Sequence, residues 1–66
     1  MEEILKKIIA YLNNNQLIEA LLLCEKNTEK KIEHLILNIK GVIFFKQNKL
    51  ELAKENFLKS IDLNQN

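Results

Sequence analysis

The chain has 66 residues, a formal net charge of +1, one cysteine, one glycine and no proline, and 47% of its residues are hydrophobic. A chain this short makes one small domain, and its interspersed charges form no basic stripe interleaved with aromatics, so nucleic-acid binding has no support. No apolar run approaches the ~20 residues of a membrane span, the lone cysteine forms no internal disulfide, and Met-Glu-Glu lacks the basic start of a signal peptide: no membrane is expected, and the cytoplasm is the expected setting.

The first helix is expected from Glu2 to about Asn13. Glu2 and Glu3 put negative charge at its positive dipole end, and Glu2 with Lys6 and Glu3 with Lys7 stand four apart in the favourable order. Ile4, Leu5, Ile8, Ile9, Tyr11 and Leu12 supply a wide apolar face at helical spacing. Asn13, Asn14 and Asn15 then end it, because asparagine tolerates left-handed backbone and competes for helical hydrogen bonds. The second helix, Gln16 to about Lys26, carries Leu17, Ile18, Ala20, Leu21, Leu22, Leu23 and Cys24 and keeps almost no polar face. Burial on most sides follows, although three consecutive leucines cannot all point inward. Asn27 and Thr28 make the next break, with one of them as N-cap and Glu29 in the first turn. The third helix is expected from Glu29 to Lys46, with Ile32, Leu35, Ile36, Ile39, Val42 and Ile43 recurring at three- and four-residue steps. Gln47 and Asn48 turn the chain into a fourth helix, Lys49 to about Leu63, with Glu51, Lys54, Glu55 and Lys59 along one side. Lys54, Glu55 and Asn56 stand where the second helix has Leu21, Leu22 and Leu23. A polar outer face suits the last helix of a stack, so the fourth helix is expected to act as a cap.

Comparing those two helices already implies a repeat. Shifted by 33 residues, Leu37 falls on Ile4, Phe44 on Tyr11, Asn48 on Asn15, Leu50 on Leu17, Ala53 on Ala20 and Phe57 on Cys24. Gly41 on Ile8 and Ser60 on Asn27 are the clear departures. A helix–turn–helix unit of about 33 to 34 residues is the tetratricopeptide signature, and the second copy resembles that family well. Gly41 and Ala53 stand where the family keeps small residues, and Leu37, Phe44, Leu50 and Phe57 where it keeps bulky apolar ones. Ser60 is small, as the family has it near the end of the second helix, and the closing segment from Ile61 is similar too, with Gln65 in place of the usual proline. The first copy is weaker, with Ile8 for the glycine and Cys24 for an aromatic. The resemblance implies an all-α fold: four antiparallel helices as two repeats, about 1–33 and 34–66, forming a fragment of an α-solenoid. A plain four-helix bundle is the alternative. Such arrays usually need about three units, so a longer array, self-association or unusually good packing is expected.

No catalytic or metal constellation is present, and no cofactor is expected. Cys24 lies on an apolar stretch without an activating cation and reads as a packing thiol. His34 has only Glu33 nearby, too little for a metal or acid–base site, and Tyr11 reads as a packing aromatic. The resemblance places a concave groove on the first helix of each pair, lined by Leu5, Ile9, Leu12 and Asn13, then Leu35, Asn38, Val42, Phe45 and Lys46. Relatives that clamp the carboxylate terminus of heat-shock chaperones use Lys, Arg and Asn there; Leu5 and Ile9 take two of those places, so no such clamp is expected. An apolar groove suits a peptide, an amphipathic helix or a second copy of the chain, although some of these residues also suit packing between helices. The expected function is a non-enzymatic protein-interaction module. The alternative is an accessory repeat segment of a larger enzyme, such as a glycosyl- or sulfotransferase, with its chemistry outside these residues.

Overall fold

Two asparagines set where the chain turns. In the computed structural model, which describes residues 3–64, Asn15 and Asn48 have φ of 61° and 63°, the left-handed region that asparagine enters more readily than other residues with a side chain. Each ends a helix in the same way. The N–H of Gln16 donates to Tyr11 C=O at 2.8 Å and that of Asn15 to Leu12 C=O at 3.0 Å; Lys49 donates to Phe44 C=O at 2.8 Å and Asn48 to Phe45 C=O at 3.0 Å. This is the paired bonding of a Schellman motif, which satisfies carbonyls that a helix end leaves open. Contact between the residue after the left-handed position and the helix's last turn often accompanies it; here Lys49 Nζ lies 6.0 Å from the Phe44 ring centroid, within cation–π range.

The resulting elements are α1 (Glu3–Asn13), α2 (Leu17–Lys26), a 3₁₀ turn (Lys30–Ile32), α3 (Glu33–Lys46) and α4 (Leu50–Leu63), with no strand among the described residues. The chain is thus all-helical, and no helix among the described residues is long and apolar enough to cross a membrane. Glu2, expected to pair with Lys6, and Gln65 lie outside the described residues. The start of the third helix differs from expectation: α-helix begins at Glu33, not Glu29. Asn27 does not cap it. Instead, Asn27 Oδ1 accepts from the N–H of Glu29 at 3.2 Å, and its Nδ2 donates to the C=O of Glu29 at 3.1 Å. That local closure holds Glu29 extended, at φ −79° and ψ 108°, and delays the helix.

Contacts run in chain order: α1 against α2, α2 against α3, α3 against α4, with no extensive contact between α1 and α4. Leu5 and Ile8 from α1, Ala20 and Cys24 from α2, and Ile32, Ile36 and Ile43 from the third helical stretch form one buried cluster. Tyr11, Leu12, Leu17, Leu21, Leu23 and Ile39 pack around it, half-buried. Ile18 and Leu22 remain exposed, so α2 is less enclosed than its sequence implies: α1 and α3 cover it and leave its far side to solvent.

The α3–α4 interface has a different composition. Gly41 and Phe44 of α3 and Ala53, Asn56 and Ser60 of α4 are buried. Asn56 Nδ2 donates to Leu52 C=O at 2.8 Å and Ser60 Oγ to His34 C=O at 2.6 Å, so both buried polar side chains are bonded, as they must be. A Cβ on Gly41 would lie 2.5 to 2.9 Å from three ring carbons of Phe57. Small and polar residues thus occupy the inner face of α4. Its Leu50, Leu52, Leu58, Ile61 and Leu63 are displaced outward and exposed. Glu51, Lys54, Glu55 and Lys59 are exposed, as an outer face requires, but they share the surface of α4 with these apolar side chains.

Two changes test this packing. Gly41→Ala gains up to ~1 kcal/mol of helix propensity but overpacks the Phe57 ring at a typical ~1–3 kcal/mol, so urea denaturation is expected to show a net loss near 1 kcal/mol. In a Phe57→Ala background the same change is expected to stabilise; loss in both backgrounds would disprove the contact. At the turn, Asn48→Ala is expected to cost about 1 kcal/mol and Asn48→Gly nothing, since only the first meets the left-handed penalty.

Candidate interaction surface

The residues expected to line a groove separate into two groups. Leu5 is only 5% exposed and belongs to the core, and Leu12 is half-buried against it. Leu5 is therefore not a surface residue: it is on the side of α1 that meets the Ile8–Ala20–Ile36 cluster. Ile9 and Asn13 are exposed on α1. On α3, Leu35, Asn38, Phe45 and Lys46 are exposed and Val42 is half-buried. The spacing of Leu35, Asn38, Val42 and Phe45 puts them on one helical face, turned away from Ile36, with Phe45 at its edge toward Gly41 and α4.

Phe45, 63% exposed, joins this face to a second feature. With Leu50, Ala53, Lys54, Phe57 and Leu58 it lines an open trough of about 400 Å³. Its lining is apolar except for Lys54, whose methylenes can lie along such a surface while the ammonium stays in water. Sequence reasoning missed this trough. The available signal was that α4 carries more large apolar side chains than one face can bury: Ala53, Asn56 and Ser60 turn to α3 with the Phe57 ring at their edge, and Leu50, Leu58 and Ile61 are left outside.

A second hollow, about 380 Å³, lies where α2 ends and α3 begins, lined among others by Cys24, Glu25, Asn27, Lys30, Glu33 and Lys40. Its charges are mixed in sign. Cys24 is buried and free; burial pushes its thiol up to about 11, against a lowering by Lys40 and a further rise from Glu25. A thiol so protonated at neutral pH is a poor nucleophile. His34 is half-buried and contributes its backbone carbonyl to Ser60. Among the described residues no group of three or more His, Cys, Asp or Glu is placed to hold a metal ion. Tyr11 packs half-buried on the core.

Comparison with protein-family models, curated proteins and solved structures gives no match.

The Cys24 environment predicts a pH response. The folded thiol titrates near 11 and the unfolded one near 9.0, so the folded state holds a proton that the unfolded state has lost between those values. The stability contributed by this neutral thiol is intact below about 9.0 and is lost as pH rises through about 11. Urea midpoints measured over that range are expected to fall more steeply for the native chain than for Cys24→Ala; equal slopes would show that Cys24 is not desolvated. Ellman's reagent is expected to label Cys24 rapidly only in denaturant.

Proposed function

We propose that the chain is a non-enzymatic protein-interaction module made of two tetratricopeptide-like repeats, about 1–33 and 34–66, whose four helices run antiparallel in an open row. Support comes from the turns, which repeat bond for bond at the 33-residue offset, down to Ala20 donating to Gln16 and Ala53 to Lys49, each at 3.0 Å. It comes also from Ala20 and Ala53, both buried, at the small-residue position. Contacts made chiefly between successive helices and Cα extents of 33 × 29 × 16 Å suit a row better than a closed bundle, in which the first and last helices meet. A reducing cytoplasm fits a lone buried thiol.

The observation that carries the functional reading is the exposed apolar surface on α3 and α4. Chains of this size rarely leave several large apolar side chains together in water without a partner. The face Leu35–Val42–Phe45 suits an amphipathic helix, with apolar anchors at seven- and three-residue steps and Asn38 and Lys46 as polar neighbours. Catalysis has no role in this reading, since the side chains on this surface include no paired base and nucleophile.

A fluorescent amphipathic helical peptide with leucines at i, i+3, i+4 and i+7 is expected to bind. Changing Val42 and Phe45 together to Asp is expected to weaken binding at least ~10-fold, about 1.4 kcal/mol, the scale of losing an aromatic anchor. Undiminished affinity would remove the α3 face from the reading.

A further inference from the structure

We propose that the outer face of α4 docks a second copy of the chain, α4 against α4 about a two-fold axis. This rests on the reading of the chain as a pair of repeats and names the partner of its second one. The molecule itself indicates what kind of element covers such a face. At the 33-residue offset, Phe45, Leu50, Ala53, Lys54 and Phe57 correspond to Leu12, Leu17, Ala20, Leu21 and Cys24. In the first copy these positions are buried or half-buried. There α3 lies on α2 and brings Ile32, Ile36, Ile39 and Ile43 to the same cluster, a stripe with steps of four, three and four. In the second copy α3 covers only Ala53 and part of Phe57, and the rest of the corresponding face is open: Phe45 is 63% and Leu50 54% exposed, with Leu58 at 57% and Ile61 at 60% beside them.

The occupant is therefore a helix with large apolar residues at steps of four, three and four. The chain offers two candidates of its own. On α1, the positions equivalent to Ile36, Ile39 and Ile43 are Glu3, Lys6 and Ala10, all exposed. That surface is polar, so stacking the start of one copy on the end of another has no apolar stripe to use. On α4, Leu50, Lys54, Phe57 and Ile61 follow the same steps, with one aliphatic position replaced by lysine and Phe57, seated on Gly41, half-buried within the stripe. Both the open face and the helix that suits it are on α4, which makes the contact self-complementary and closes it at two copies.

The charges fit that arrangement. Laid antiparallel on itself, α4 sets Leu50 opposite Ile61 and brings Glu51 beside Lys59 and Lys54 beside Glu55 of the other copy. With a large side chain taken at roughly 180 Å², Phe45, Leu50, Leu58 and Ile61 expose about 400 Å² of mainly apolar surface per copy. That is about half of the ~800 Å² per partner in standard interfaces, so the dimer is reversible and dilution separates it.

Sedimentation equilibrium across a concentration series tests this. The expected result is a monomer–dimer equilibrium with no larger species. Leu58→Glu and, independently, Ile61→Glu are expected to raise the dissociation constant at least ~10-fold with helical content unchanged by circular dichroism, because both side chains are already exposed. Leu52→Glu, away from the stripe, is expected to leave it unchanged. A folded monomer at every concentration, a dimer insensitive to both substitutions, or growth beyond two copies would each overturn the proposal. A monomer that still binds the helical peptide through Val42 and Phe45 would overturn the dimer alone and leave the interaction-module reading in place.

Discussion

The ring of Phe57 resting on the bare backbone of Gly41 fixes the rotation of α4 about its own axis. A side chain at position 41 would push the ring away. With none there, α3 and α4 come together along Ala53, Asn56 and Ser60. Everything else about α4 follows from that choice. Residues at steps of three and four from Ala53 are short or polar and face inward. The leucines between them fall elsewhere on the helix circumference and meet water. The closest approach in the molecule and its most apolar exposed surface therefore have a single cause. Close approach favours small side chains, and the larger apolar ones on the same helix are left for another contact.

The helices and the turns were legible in the sequence; the orientation of the last helix was not. Runs of isoleucine and leucine at helical spacing announced α1, α2 and α3, and the asparagines announced the two turns, because few other residues accept a positive φ. Asn27 misled, since a side chain able to cap a helix can equally close an Asx turn, and local hydrogen bonding alone does not decide between them. Leu5 misled for a different reason. The resemblance assigned it to a groove by position, whereas in the structure it is buried in the cluster with Ile8, Ala20 and Ile36. For α4, counting polar residues suggested a cap. Composition could not tell which stripe would turn inward, because that depended on a tertiary fit between one glycine and one ring. Val42 and Phe45, assigned to the same groove by the resemblance, are respectively half-buried and exposed on α3.

The two ends of the molecule are unlike. The outer side of α1 presents Glu3, Lys6 and Ala10, whereas that of α4 sets Leu50, Leu58 and Ile61 among Glu51, Lys54 and Asp62. In a stack whose units each bury a face on the next, a polar end stops growth and an apolar one invites it. This difference in polarity, more than any single residue, gives the proposed interactions their direction. It also explains how a chain too short for a large core carries so much apolar side chain: part of it is on a surface, where it is available to a partner.

The order of contacts along the chain also bears on how it forms. Because each helix packs chiefly on its neighbour in sequence, no step has to close a loop much longer than one helix pair, and proteins with such local topology fold in microseconds to milliseconds. The main apolar cluster draws on α1, α2 and α3 and leaves α4 out. Detaching α4 breaks the Gly41–Phe57 seat and the Ser60 hydrogen bond but leaves that cluster whole. Amide protons of α4 should therefore exchange through a smaller opening than those of α2, and the free energy of that opening sets the fraction of molecules with α4 undocked at equilibrium.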